Sequence, residues 1–173
     1  MSDTNNPDHY QRPSWDDYFM SIAELVGTRA TCGRGRSGCV IARDKQILTT
    51  GYVGAPAGLP HCDEVGHEMH KVTTDDGQIS EHCIRTVHAE ENALAQAARL
   101  GVSVNGGTLY CHMTPCYICA KLLINAGIKK VVAFKDYHRS KRTKEIFSEV
   151  GIKLHIINPV VEDYSMDTTK ANQ

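Results

Sequence analysis

The chain of 173 residues contains no run of eighteen apolar residues, so no segment is expected to cross a membrane as a helix. It also lacks an excess of either charge, with 19 Lys and Arg against 20 Asp and Glu. A protein that grips a long nucleic acid needs a basic surface, and this balance argues against such a partner. A small anion held by a few local cations stays compatible with it. Aromatic residues are scarce at 6%, yet 41% of the chain is hydrophobic, enough for one real core. Residues 1–13 lack the basic and apolar parts of an export signal and read as a flexible arm. Residues 161–173 read as a flexible tail, leaving 14–160 as a single domain of ordinary size. Without an export signal the expected setting is cytoplasmic and reducing. Seven cysteines then point away from a disulfide framework and, where they cluster with histidine, toward metal.

Ser14 followed by acids at 16 and 17 predicts a helix start, and Phe19, Ile22, Ala23 and Val26 continue it at helical spacing to a stop at Gly27. Residues 39–42 and 46–50 predict a two-stranded hairpin. Residues 51–87 are the odd part: five glycines, two prolines, four histidines and two cysteines with little periodicity, a long insert loop. A loop of that length inside a domain is usually functional or pinned by something. Beyond it, helices are predicted at 88–100, 116–125 and 141–150, and strands at 108–111, 131–134 and 153–157. This alternation implies a layered α/β domain with helices against one sheet.

Two short pieces carry chemistry: His88-Ala89-Glu90 and Pro115-Cys116-Tyr117-Ile118-Cys119, each opening a predicted helix. Cys116 and Cys119 are three apart, so both sulfurs face one point in a first helical turn. The dipole there favours thiolate, the metal-binding form. His88 supplies a third ligand, which leaves the fourth tetrahedral position of a zinc ion open to water, as in catalytic sites. Zinc lowers the pKa of such a water to about 7. Glu90, two residues past His88, is placed to shuttle protons between that water and a substrate. A lone C-x-x-C is a weak signal. H-x-E followed by P-C-x-x-C, on two helix starts separated by a strand, is the signature of zinc nucleobase deaminases.

At these residues the chain resembles the cytidine deaminase superfamily, and within it the deoxycytidylate deaminases. Residues 83–93, Cys-Ile-Arg-Thr-Val-His-Ala-Glu-Glu-Asn-Ala, are similar to that family's C-x-R-T-x-H-A-E-x-N-A. Residues 51–58, Gly-Tyr-Val-Gly-Ala-Pro-Ala-Gly, are similar to its G-Y-N-G-x-P-x-G, and Thr31-Cys32 matches a further pair. The resemblance runs from about residue 15 to 157. It implies a three-layer fold with a central mixed five-stranded sheet and helices on both faces, and hydrolysis of dCMP to dUMP and ammonia, which supplies thymidylate synthesis. It also implies substrate contacts at Ala89, Asn92, Thr114 and Tyr137, the last at the phosphate. A regulatory nucleotide is implied at Gly51, Tyr52, Gly54 and Gly58, with Mg-dCTP as activator and dTTP as inhibitor, in a homo-oligomer, the hexamer favoured. One position departs: Val53 stands where the family carries Asn, so an amide that could bond a sugar hydroxyl is missing.

The same resemblance implies a second, structural zinc tying the insert to the domain. Cys32 and Cys62 match ligand positions, Cys83 lies near them, and His67 is the favoured fourth ligand, with His70 and His82 as alternatives. Cys39 and Cys111 read as core residues. Arg139, Lys141, Arg142 and Lys144 form a basic run that either attracts a phosphate or makes one solvated helix face. Two rival functions remain open. One is a deaminase of dCTP, cytidine or a tRNA adenosine; the other is a zinc-folded nucleotide-binding module without turnover, in which Glu90 would have no use.

Overall fold

The computed structural model describes residues 10–73 and 79–162. Helix α1 (Trp15–Gly27) is capped by Ser14, whose hydroxyl oxygen accepts from the Asp17 amide at 3.1 Å. It is followed by β1 (Gly38–Arg43) and β2 (Gln46–Tyr52). Their connection is a two-residue turn with both Asp44 and Lys45 at positive φ, the type I′ geometry that matches strand twist. After the insert come α3 (Ala89–Leu100), β5 (Thr108–Met113), α4 (Tyr117–Asn125), β6 (Lys130–Tyr137), α5 (Lys141–Glu149) and β7 (Lys153–Glu162).

The five strands form one sheet in the order β2-β1-β5-β6-β7, antiparallel at β2/β1 and β1/β5, parallel at β5/β6 and β6/β7. Alternation along β1 divides the core in two. Cys39 and Ile41 face Ala93, Leu123 and Phe147, from α3, α4 and α5, whereas Val40 and Ala42 face Phe19 and Ala23 of α1. Helices thus cover both faces of a mixed five-stranded sheet, as the sequence implied.

Helix α1 ends at Gly27, where the sequence placed its stop, and that residue is glycine because a Cβ there would lie 2.9 Å from the Gly38 amide nitrogen. Two details differ from the reading of the sequence. Strand β7 runs to Glu162, past the expected strand end at 157 and the expected domain limit at 160. Residues 51–87 are not one loop: they hold the end of β2, a short α2 (Cys62–Val65) and a separate antiparallel pair, β3 (Met69–Thr73) with β4 (Ile79–Cys83). Periodicity could not reveal β3, which is exposed at four of its five residues and buries no apolar face. Residues 1–9 of the expected arm, 74–78 of the insert and 163–173 of the expected tail lie outside the described residues.

Gly51 sets how closely β2 approaches the helix that carries the site. A Cβ there would lie 2.1 Å from the Ala89 carbonyl oxygen and 2.5 Å from the Ala93 nitrogen, both backbone atoms. Gly51→Ala is therefore expected to cost about 1–3 kcal/mol or more through forced backbone movement. Urea unfolding checks this, and an unchanged midpoint would mean that α3 is not held against β2 as described.

Candidate functional site

Two helix starts meet at the site because β1 and β5 pair directly and α3 and α4 lie side by side on the same face. His88 is the N-cap of α3, where its own backbone N–H donates to Glu91 Oε2 at 3.0 Å. Cys116 is the N-cap of α4, and its sulfur accepts from the Cys119 amide at 3.5 Å. His88 Nδ1 lies 3.5 Å from both Cys116 Sγ and Cys119 Sγ. Zinc–nitrogen and zinc–sulfur bonds of ordinary length at a tetrahedral angle put nitrogen and sulfur about 3.6 Å apart. His88 Nδ1 therefore stands at the spacing of a zinc ligand from both sulfurs, and these N and S donors suit that ion.

The protonation pattern agrees. Cys116 is drawn down to about 4, first by the hydrogen bond from Cys119 and then by His88, with burial opposing. His88 is raised to about 9 by its bond to the Cys116 thiolate, again against burial. Cys119 is pushed far up because it keeps the proton it shares with Cys116. Cys119 and His88 must release these protons when a metal binds. Glu90, buried in the first turn of α3, is raised to about 7, first by burial; His88 opposes the rise and the Cys116 thiolate adds to it.

A second cluster brings together Cys32, Cys62, His67 and Cys83, with all four ligand atoms within 4.8 Å of one another. Cys32 Sγ lies 3.6 Å from His67 Nδ1, and Cys62 Sγ lies 3.6 Å from Cys83 Sγ. Zinc would require about 3.6 and about 3.8 Å. His70 and His82, the alternatives to His67, are not in this cluster; they face each other across β3 and β4.

The remaining sequence-derived candidates fall into place as follows. Ala89 is buried at the start of α3. Asn92 donates its side-chain amide to the Tyr52 carbonyl at 3.0 Å, linking α3 to the end of β2. Thr114 is buried and its hydroxyl donates to Asp136 Oδ1 at 3.0 Å. Tyr137 ends β6 with its ring edge-on to His138. Gly51 and Tyr52 belong to β2, Gly54 forms a bridge with Val87, and Gly58 sits in a turn at φ 87°. Val53 bonds through its backbone to Ser37 and Thr31, and its side chain packs against the core cluster that contains Ala89.

The basic run is not one solvated face. Lys144 pairs with Asp136, Arg142 donates to the Tyr117 hydroxyl at 3.2 Å and lies over its ring, and Arg139 Nη1 lies 3.4 Å from His82 Nε2. Asp136 escaped the sequence reading. Burial opposes its ionisation, but hydrogen bonds from Lys144, Ser140 and Thr114 outweigh this and hold its carboxyl below the usual value. No motif marks it, because an acid within a strand becomes telling only once the strand is known to be buried.

Residues 13–135 match the family described as the cytidine and deoxycytidylate deaminase zinc-binding region. The chain is 39% identical over 142 residues to ComE operon protein 2 of Bacillus subtilis, covering 82% of this chain and 70% of that one. It is 37% identical over 153 residues to the deoxycytidylate deaminase of Schizosaccharomyces pombe, covering 88% of this chain. It spans only 47% of that relative's length. The crystal structure of dCMP deaminase from the cyanophage S-TIM5, in complex with dCMP and dUMP, superposes with a TM-score of 0.67 at 27% identity, covering 85% of this chain and 99% of that one.

Proposed function

This chain belongs to the cytidine and deoxycytidylate deaminase family, and from that premise we propose that it hydrolyses dCMP to dUMP and ammonia, the step that supplies thymidylate synthesis. The observation that carries the proposal is the three-ligand cluster of His88, Cys116 and Cys119 with Glu90 buried two residues away. Zinc bound there would polarise and acidify water in its remaining position. Glu90 takes a proton from the water that adds to C4 of the cytosine and delivers it to the ring nitrogen N3. It then takes the proton of the new C4 hydroxyl and passes it to the amine, so that the C4 carbonyl forms as the C4–N bond breaks and ammonia leaves. Burial, which raises the Glu90 carboxyl, favours its taking up a proton as well as giving one.

In this reading Ala89 and Thr114 wall the base, while Asn92 offers its amide oxygen to the sugar as its NH2 holds Tyr52. Tyr137 stands at the phosphate. Cys32, Cys62, His67 and Cys83 hold a structural zinc that fastens the insert to the connection between α1 and β1. The segment with Gly51, Tyr52, Gly54 and Gly58 takes a regulatory nucleotide, Mg-dCTP activating and dTTP inhibiting, in a homo-oligomer of cytoplasmic setting, the hexamer favoured. No helix among the described residues is long and apolar enough to cross a membrane.

Ammonia release from dCMP, CMP, dCTP, deoxycytidine and adenosine, each with and without Mg-dCTP or dTTP, tests the proposal. dCMP is expected to exceed deoxycytidine roughly a hundredfold or more in kcat/KM, because a site built around a phosphate leaves polar groups unpaired when the phosphate is missing. Faster turnover of dCTP or adenosine would move the substrate claim to that compound. No turnover of any of them by the zinc-loaded chain would overturn the enzymatic reading.

A further inference from the structure

Four donors from two neighbouring segments converge on the single carboxylate of Asp136, which is only 8% exposed. Its Oδ1 accepts from the Thr114 hydroxyl at 3.0 Å, the Ser140 hydroxyl at 2.7 Å and the Tyr137 backbone N–H at 2.9 Å, and its Oδ2 accepts from the Lys144 ammonium. Asp136 lies where the pairing of β6 with β7 shifts register, between residues 135 and 136. The Thr114–Pro115 step, which leads directly into the ligand Cys116, is tied to the same unit twice more. Thr114 N–H donates to the Lys135 carbonyl at 3.0 Å, and the buried Thr143 hydroxyl donates to the Pro115 carbonyl at 3.0 Å.

We infer that Asp136 is a positioning residue that sets two parts of the site at once: the height of the Cys116 ligand, through Thr114, and the connection of residues 137–140 between β6 and α5, through Ser140 and the Tyr137 amide. The side chains of Thr114 and Thr143 anchor the step into Cys116, and the connection carries Arg139 out toward His82 on β4. Joining them on one carboxylate fixes the distance between the metal ligand and the Tyr137 end of the site. Displacement of reacting groups by about 1 Å can cost a hundredfold in rate, so a shared anchor at this point has kinetic weight. Lys144 supplies the countercharge that lets the carboxylate remain ionised under cover.

The experiment compares Asp136→Asn, Thr114→Val and Ser140→Ala in the full chain, reading kcat and KM for dCMP, thermal melting, and the visible bands of the cobalt(II)-substituted protein. The bands of the Cys32, Cys62, His67 and Cys83 cluster act as the internal reference. Ser140→Ala is expected to raise KM roughly three- to tenfold at unchanged kcat, the worth of one hydrogen bond, with the cobalt bands unmoved. Thr114→Val is expected to shift the thiolate-to-cobalt bands of the His88, Cys116 and Cys119 site and to lower kcat. Asp136→Asn should show both effects. Variants that melt lower but keep the parent's kcat, KM and cobalt bands would reduce Asp136 to a stabilising group and overturn the inference. Should Asp136→Asn fail to fold, the other two variants each remove one contact and decide the matter. The kinetic arm rests on the dCMP reading; a parent that turns over no dCMP sinks that reading, and the cobalt bands of Thr114→Val still judge the positioning role.

Discussion

Glu90→Gln is expected to retain zinc on His88, Cys116 and Cys119, to melt no lower than the parent, and to lose roughly 10²–10⁴ in kcat for dCMP. The size of the loss follows from the role. A single carboxyl must take a proton from water, carry it to the ring and return one to the leaving amine, and an amide of the same shape can do none of these. The unchanged stability follows from burial. Glu90 is only 9% exposed, and burial is the first cause of its rise to about 7, so a neutral side chain of equal volume removes a cost. Metal content, calorimetry and ammonia release on one preparation separate the possibilities. Full zinc with near-parent kcat would remove Glu90 from the chemistry and revive the nucleotide-binding module. Zinc loss in parallel with activity would instead make Glu90 a support for the ligands.

What could be read in the sequence was what obeys short-range rules. Helix α1 followed from a Ser cap and apolar spacing, α3 from its run of alanines, and the meeting of His88, Cys116 and Cys119 from motifs whose spacing is itself geometry. The grouping of Cys32, Cys62, His67 and Cys83 was legible through resemblance rather than through spacing, since Cys32 and Cys83 are 51 positions apart and no local rule joins them. The β3–β4 pair was not legible, because its strands cover no core and so carry no period. Asp136 was hidden for a different reason. The sequence shows an acid between Lys135 and Tyr137, which ordinarily means solvent. Only the folded chain shows it buried, with Thr114, Ser140 and Lys144 all donating to it. The same holds for Asp16, whose carboxyl burial raises but hydrogen bonds from Lys130 and Tyr110, at 2.7 and 2.8 Å across more than ninety residues of chain, bring below its usual value.

Cys62→Ser is expected to lower the zinc content from two ions per chain to one and to loosen the insert selectively. The insert has little core of its own, since α2 is four residues long and β3 is exposed along most of its length, and its other ties are polar ones such as Arg36 to Asp63 and Thr31 to His61. Without metal, burial and the hydrogen bond with Cys83 push the Cys62 thiol up to about 12, while hydrogen bonds draw Cys83 down against burial. A structural zinc supplies on the order of 10 kcal/mol in domains that depend on it entirely. Here the five-stranded sheet keeps its own core, so only part of that is at stake. A loss of about 3 kcal/mol is expected, or roughly 6–12 °C in Tm for a chain of this size. Proteolysis should then open within residues 61–83 before the sheet unfolds. The damage should also reach the substrate, because His82 on β4 lies close enough to His88 and Cys116 to feel their charge, and it meets Arg139. KM should rise more than kcat falls, the reverse of the Glu90→Gln pattern. A parent that carries one zinc per chain, or a Cys62→Ser variant that keeps two and resists protease as the parent does, would end the case for a second zinc.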